Sequence, residues 1–331
     1  MPVSRFESRD YGMSQKVTSS LTQHEVVAYA TSLSNWGRWG SADRLGTLNL
    51  ITPQKRLEAA RIVREGVTVS CAWNIEAGPD ATAAPDEEGG PPQRFMIATG
   101  EGLPETPRLR GAREFIGFVF HGYAMTHVDA LSHIFWDKQM YNGCPADAVT
   151  ARAGATKHDV TSLAGGVVSR GILLDVARAQ GREWLDPGES MLPEDLEAAE
   201  NLAGVRVEVG DVMLVRSGYG RLRRTRGRQD VDTSGLPGLH PACLPWIHDR
   251  GAALLGSDTA TDVLPPLFPE IRMPVHAIGV AAMGLWILDG CDLEELGEIC
   301  ERLQSWEFLF FLSPLRIRGA TGSPVNPLAV F

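Results

Sequence analysis

Along this chain, apolar residues fall into short continuous runs separated by stretches of helical spacing, and turn residues mark most of the changes. Gln23–Ala30 reads as a helix. A second helix starts near Thr52, a residue suited to the N-cap, with Pro53 at the first helical position. Val67–Trp73 and the apolar run Phe115–Phe120 predict strands, the latter buried. Gly171–Val176 and Asp211–Arg216 predict two more short buried strands, with a helix over Pro193–Leu202 between them. Pro241–Asp249 reads as a helix stopped by Gly251 and followed by a strand at Ala252–Leu255, the sequence of elements expected of an α/β layer. Asp292 and Glu295 are spaced like a capping box for a last helix that carries Leu293, Leu296, Ile299 and Leu303 on one side. Between these elements, residues 76–113 are rich in proline and glycine and lack a period. A loop of that length reads as a lid, an arm around a neighbouring subunit, or a partly disordered stretch. The basic run at 221–228, set among glycines, reads as a solvated loop, and the tail RGATGSPVNPLAVF as a docked C-terminus.

The chemistry concentrates directly after the Phe115–Phe120 run. His121, Tyr123, His127, Asp129 and His133 are all odd-numbered, and the intervening even positions are small, apolar or hydroxylic. In an extended chain, side chains alternate between faces, so the imidazoles, the phenol and the carboxylate share one face. A helix would set His127 and Asp129 roughly 200° apart. A second candidate lies in the apolar segment 273–290, where His276 must satisfy its ring nitrogens or bind a metal, because an unpaired buried polar group costs a few kcal/mol. His240 and Asp258 bracket the helix–strand unit at 241–255, as capping or loop residues or as groups within reach of a site. Trp36 and Trp39 lie in a glycine-rich loop, either packed on the helix that follows or forming a wall for a ligand.

Composition narrows the function classes. The chain has 331 residues, of which 44% are hydrophobic, enough to bury a sizeable core; residues 1–331 are read as one domain with an N-terminal extension over about 1–65. A net charge of −10 argues against nucleic acid and anionic membranes as partners. The first residues lack the apolar core of a signal peptide and no later run is long enough to span a bilayer, so a cytoplasmic location is expected. Five scattered cysteines without a CxxC predict reduced thiols. No GxSxG elbow or strand-linked GxGxxG favours a nucleophilic serine or a dinucleotide. His-x-Asp with a further histidine four residues on supplies nitrogen and oxygen ligands suited to zinc, manganese or a similar divalent ion, although histidines in such runs also serve as hydrogen-bonded core groups.

At THVDALSH the sequence resembles the cyclase-like metal-dependent hydrolases, which include bacterial kynurenine formamidases and isatin hydrolases and share an HxGTHxDxPxH signature. Thr126, His127, Asp129 and His133 match it at the required spacing. Further segments extend the resemblance over most of the chain, toward a longer branch of the family: NWGRWG, GTLNLIT, MYNGCPADAVT, RGILLDV, GDVMLVRSG, ALLGSDT, PVHAIGVAAMGL and RGATGSPVNP. It implies a swivelling β/β/α fold with a mixed sheet and flanking helices, a homodimer or homotetramer, a divalent metal, and hydrolysis of a small amide, cyclic amide or lactone. Residue by residue it implies His127 and Asp129 as metal ligands, His133 as the acid/base, and His276 with Asp289 as the distal part of the shell. The family's distal acid is glutamate, one methylene longer than Asp289. Tyr123 stands where the family has its first histidine, Met125 where it has glycine and Leu131 where it has proline; His121, two residues before Tyr123, is the candidate replacement ligand. Trp36, Trp39, Tyr123, Trp136 and His240 are the candidate substrate contacts. Two competing readings are a metal-poor small-molecule binding or regulatory protein on the same fold, and a lyase or cyclase that uses the same pocket without net hydrolysis.

Overall fold

The computed structural model describes residues 21–78, 90–104 and 108–331; the rest of the extension and of the 76–113 segment lies outside the described residues. In chain order, the strands that organise it are β1 (Thr68–Ser70), β2 (Gln93–Ala98), β3 (Arg113–Gly117), β4 (His127–Asp129), β5 (Val167–Asp175), β6 (Val212–Arg216), β7 (Leu254–Ser257), β8 (Trp286–Asp289), β9 (Glu307–Leu312), β10 (Gly322–Pro324) and β11 (Leu328–Val330). The main helices are α1 (Gln23–Ser32), α2 (Pro53–Ala60), α3 (Pro193–Ala203), α4 (Tyr219–Arg226), α5 (Cys243–Arg250), α6 (Pro274–Ile278), which continues as a π-helical turn Gly279–Met283, and α7 (Glu294–Leu303).

Nine strands form one mixed sheet in the order β1-β11-β9-β5-β6-β7-β8-β4-β10. The central four, β5 to β8, run parallel. Such strands must be covered on both faces, hence their almost unbroken apolar sequences. Alternation divides them cleanly: Leu173, Leu214 and Leu254 enter one core with Leu296 and Ile299 of α7, and Ile172, Leu174, Met213, Val215 and Leu255 enter the other with α3, α5 and α6. The expected mixed sheet with flanking helices is the architecture observed.

Most local signals act as the sequence predicts. Thr52 Oγ1 accepts the Lys55 amide at 3.1 Å with Pro53 at the first position of α2, Gly251 closes α5 in the left-handed region, and β11 docks the tail between β1 and β9. At the carboxyl ends of β5 and β6, the buried Arg216 guanidinium donates to Asp175 at 2.8 Å and to both oxygens of Glu294 at 3.0 and 2.8 Å. A buried charge requires such full pairing, and here it ties the sheet to the start of α7.

Four expectations are corrected. The run after residue 113 is not a buried strand: among the described residues β3 pairs only with β2, and Arg113 to Ile116 are exposed. The 76–113 segment is not all loop, since β2 lies within it. The basic run is helical, not a solvated loop. Gly218 opens α4 in the left-handed region, and charge pairing then holds the turn: Arg221 meets Glu294 and Glu298, Arg224 meets Asp292, and Arg223 and Arg224 stack on Trp73 at 4.2 and 4.7 Å. Asp292 stands one residue outside α7, whose N-cap position is Leu293, and its carboxylate accepts the Glu294 amide at 3.4 Å.

Candidate metal centre

β4 is only three residues long, and it follows the alternation read from parity. Val128 enters the core between His127 and Asp129, and these two side chains meet on the other face. Neighbouring strands fix what lies beside them. The β8 register sets Asp289 opposite His127, and the β10 register sets Gly322 opposite Asp129. A Cβ on Gly322 would come within 2.8 Å of the His121 ring and 2.6 Å of the Val128 carbonyl, so only glycine leaves the imidazole its place. Beyond β4 the chain turns through Ala130, whose carbonyl accepts the His133 amide, and returns the His133 ring to the same face. The site sits at the carboxyl edge of the parallel strands, where loops rather than ladder partners supply side chains.

Asp129 is the centre of the arrangement. Its carboxylate lies 3.0 Å from His121 Nδ1, 3.5 Å from His127 Nε2, 3.5 Å from His276 Nε2 and 3.9 Å from His133 Nε2. Both oxygens are fully buried, yet neither has a hydrogen bond of acceptable geometry. The rings are held by other groups. His127 Nδ1 donates to the Met125 carbonyl at 2.9 Å, so the lone pair is on Nε2, toward Asp129. His276 Nδ1 donates to Asp262 at 2.7 Å, and its Nε2 faces Asp289 at 3.0 Å and Asp129 at 3.5 Å. His121 Nε2 meets Thr321 Oγ1 at 3.1 Å, and its ring lies flat on His133 with centroids 3.9 Å apart. Asp289 is steadied by Thr261 Oγ1 at 2.6 Å. Two overlapping groups result, His121–Asp129–His133 and His127–Asp129–Asp289, each with donor atoms within 4.8 Å of one another.

Such a cluster fits a divalent cation. Zinc ligands at about 2.0–2.1 Å in tetrahedral array lie roughly 3.3 Å from one another, close to the spacings around Asp129. Three buried carboxylates, Asp129, Asp262 and Asp289, also require positive charge. Electrostatics respond accordingly. Burial works against a charged Asp129, but the imidazoles, His133 foremost, outweigh it and hold the carboxyl well below its usual range. Burial likewise opposes protonation of His276, and Asp289, Asp129 and Asp262 together override it, raising the ring well above the ordinary histidine value. His133 moves the other way, brought down to about 4 by burial, so its ring is neutral at pH 7.

The structure brings His121, His127, Asp129, His133, His276 and Asp289 together. Tyr123 is not among them: its ring packs against the cluster of Tyr219, Leu222 and Leu264, and His121 takes the place beside Asp129. Trp36 donates its indole N–H to the Ala281 carbonyl at 2.7 Å rather than packing on α2. Trp39 lies beneath Arg38, and Trp136 packs at the border of two core clusters. His240 accepts the Ala242 amide on Nδ1 at the entry to α5. Asp258 is a structural anchor that accepts the Ser217, Gly218 and Tyr219 amides at 2.9–3.1 Å where α4 begins. A cavity of about 560 Å³ borders the site segment at Ala124 and Met125, is lined also by Trp73 and Arg223, and includes none of the six cluster residues in its lining. Access to the cluster is from the side of His121 and His133, the half-buried pair.

Asp262, Thr261, Thr321 and Gly322 were not evident from the sequence. Asp262 matters most, because it accepts the Val275 and His276 amides as well as the ring N–H and so sets both the start of α6 and the tautomer of His276. Carboxylates that orient ligand imidazoles commonly contribute 10–100-fold to metal affinity. Asp262→Asn should weaken metal binding by about that factor in a chelator competition; unchanged affinity would remove Asp262 from this role.

Two buried histidines away from the site make stability depend on pH. His158 and His240 are both held below the ordinary value by burial. Below about pH 6.5 the unfolded chain takes up protons that these folded rings do not, so stability falls as pH falls, by at most about 1.4 kcal/mol per pH unit for each ring. His158 has a positive φ of 54°, which asparagine tolerates. Urea unfolding at pH 7.5 and 5.5 should show a smaller acid loss for His158→Asn than for the wild type; an identical loss would contradict the assignment.

The family model described as "Putative cyclase" matches residues 54–262. The chain belongs to the cyclase family. The solved structure of a novel cyclase is 31% identical, with a TM-score of 0.80, and the match covers 90% of this chain and all of that one. An isatin hydrolase bound to the product analogue thioisatinate matches at 16% identity and TM-score 0.56, over 84% of this chain and 98% of its own. Isatin hydrolase A from Labrenzia aggregata, bound to benzyl benzoate, matches at 19% and 0.56 over the same shares. At these identities the two hydrolases share the fold. A search of the curated proteins finds no match to the chain.

Proposed function

We propose that this cyclase-family protein is a metal-dependent hydrolase of the C–N bond in a small amide or cyclic amide, with a lactone as the oxygen counterpart. The observation that carries the reading is the buried Asp129 carboxylate, without a hydrogen bond on either oxygen and ringed by the nitrogens of His121, His127, His133 and His276. A buried carboxylate in that state is costly unless a cation shares it. His127, Asp129, His276, Asp289 and His121 would hold one or two divalent ions, with zinc or manganese best suited to nitrogen and carboxylate donors. Bound there, the ion supplies Lewis acidity for a carbonyl and lowers the pKa of a water.

The chain's own groups supply the remainder. His133, neutral at pH 7 and open to the approach side, accepts a proton from the attacking water as its oxygen bonds to the carbonyl carbon. It then returns the proton to nitrogen as the C–N bond breaks, so that one water is consumed overall. Asp262 and the Met125 carbonyl hold His276 and His127 in the ligand tautomer throughout. Trp36, Trp39, Tyr123, Trp136 and His240 are retained as proposed substrate contacts, to be tested by their effect on KM. The isatin hydrolases that share the fold suggest an aryl-fused lactam as the first substrate to try.

The test is a screen of zinc- or manganese-loaded protein against N-formyl arylamines, isatin-like lactams and lactones, followed by product mass. Turnover with the gain of one water supports the reading. A product isomeric with its substrate would instead support a lyase or cyclase, and no turnover across the panel by metal-replete protein would overturn the hydrolase assignment.

A further inference from the structure

We infer that the cavity beside the site segment is a second ligand site, separate from the metal centre, that takes a small aryl carboxylate. Its volume of about 560 Å³ lies in the range of small-molecule pockets. Three guanidiniums line it, those of Arg223 and Arg224 on α4 and of Arg228 just beyond, together with the carboxylates of Glu76, Asp292 and Glu295. Burial decides between the two signs. Glu76 and Glu295 are exposed, so water and salt screen them, whereas Arg223 and Arg228 are half-buried. Asp292 is committed to Arg224. The inner part of the cavity is therefore positive. A guanidinium, with five N–H donors in a planar fork, holds a carboxylate through two parallel hydrogen bonds.

The rest of the lining fixes the arginines and selects the aryl part. Arg223 and Arg224 lie over the Trp73 ring at 4.2 and 4.7 Å, contacts that hold the guanidiniums in place before a ligand arrives. Arg223 Nη1 also donates to the Ala124 carbonyl at 3.4 Å. Ile75, Pro92 and Met125 add apolar surface beside these planar groups, and a guanidinium stacks on aromatic faces as well as pairing carboxylates. An inorganic anion would leave that apolar surface wet. The inner wall adjoins the metal centre. Met125 accepts the His127 Nδ1–H on its carbonyl at 2.9 Å. Thr126 Oγ1 accepts the Trp73 amide at 3.1 Å and donates to the carbonyl of Gly290, the residue after Asp289, at 2.7 Å. Occupancy of the cavity thus bears on two of the candidate metal ligands. This last consequence rests on the metal-site reading; the binding itself does not.

Isothermal titration calorimetry of the full chain with benzoate and 2-naphthoate should show saturable binding, tighter than about 1 mM for naphthoate. His127→Ala, whose metal centre is disabled, should still bind one carboxylate per chain. In that background Arg223→Gln and Arg228→Gln should each weaken binding about tenfold or more, while Arg226→Gln, whose guanidinium lies over Trp184 instead, should leave it unchanged. Hydrogen exchange of the wild type, which needs no variant to fold, should slow at 70–76 and 223–228 when naphthoate is added. Absence of saturable binding, loss of binding in His127→Ala, undiminished affinity in both arginine variants, exchange that slows only elsewhere, or inorganic phosphate binding as tightly as naphthoate would each overturn the proposal. Chelator competition for zinc with and without saturating naphthoate tests the coupling, which by linkage acts equally in both directions: a shifted zinc affinity supports it and an equal one overturns it.

Discussion

Asp129→Asn should purify without a divalent ion and lose at least about 10³-fold in turnover, one of the largest effects expected of any single change in this chain. The substitution keeps the shape of the side chain and removes its charge. Both candidate donor groups include Asp129, so loss of this carboxylate weakens each of them. His127, His133, His121 and His276 would then face one another around a neutral amide, without the anion that now draws their nitrogens to within 3.0–3.9 Å. Elemental analysis and turnover, measured on one preparation, check it. An Asp129→Asn protein that retains wild-type metal and activity would show that the cluster is a hydrogen-bonded core and not a metal centre.

The second large effect separates binding from proton transfer. His133→Ala should keep its metal and lose about 10²–10⁴-fold in kcat with little change in KM, the usual contribution of a positioned acid/base. His133 differs from the other rings in two respects: it is the farthest from Asp129, at 3.9 Å, and its side chain is the most exposed of the four. His127→Ala should do the reverse and abolish metal retention. Equal metal loss in the two variants would make His133 a ligand, a role that the His121–Asp129–His133 grouping also permits geometrically.

The sequence revealed the centre of this site better than its edges. Parity alone placed His127 and Asp129 on one face, because strand alternation depends only on position along the chain. The parallel core could be read from its apolar runs for the same reason. The β3 run was misjudged because an apolar composition does not reveal which strand pairs with it; β2, the partner, lies in a segment without period. The basic run was misjudged because its charges are neutralised by Glu294, Glu298 and Asp292, about 70 residues later in the chain. Asp262 shows the same limit within the site. A buried His276 calls for an acceptor on its second nitrogen, but nothing local shows that the acceptor precedes it by 14 residues and also opens its helix. Asp289 reaches His276 at 3.0 Å despite being shorter than the family's glutamate, since β8 is paired directly with β4 and brings its backbone close. His121 replaces the residue at Tyr123 because the loop before β4 carries Tyr123 toward α4.

Elemental analysis of the purified full chain, produced with zinc and manganese supplied and freed of loosely held ions by desalting, bears most directly on the metal centre. A content of about one to two divalent ions per chain, lost in His127→Ala, is the predicted result. Less than about a tenth of an ion per chain under those conditions would contradict it and leave the Asp129 cluster without the charge that its geometry requires.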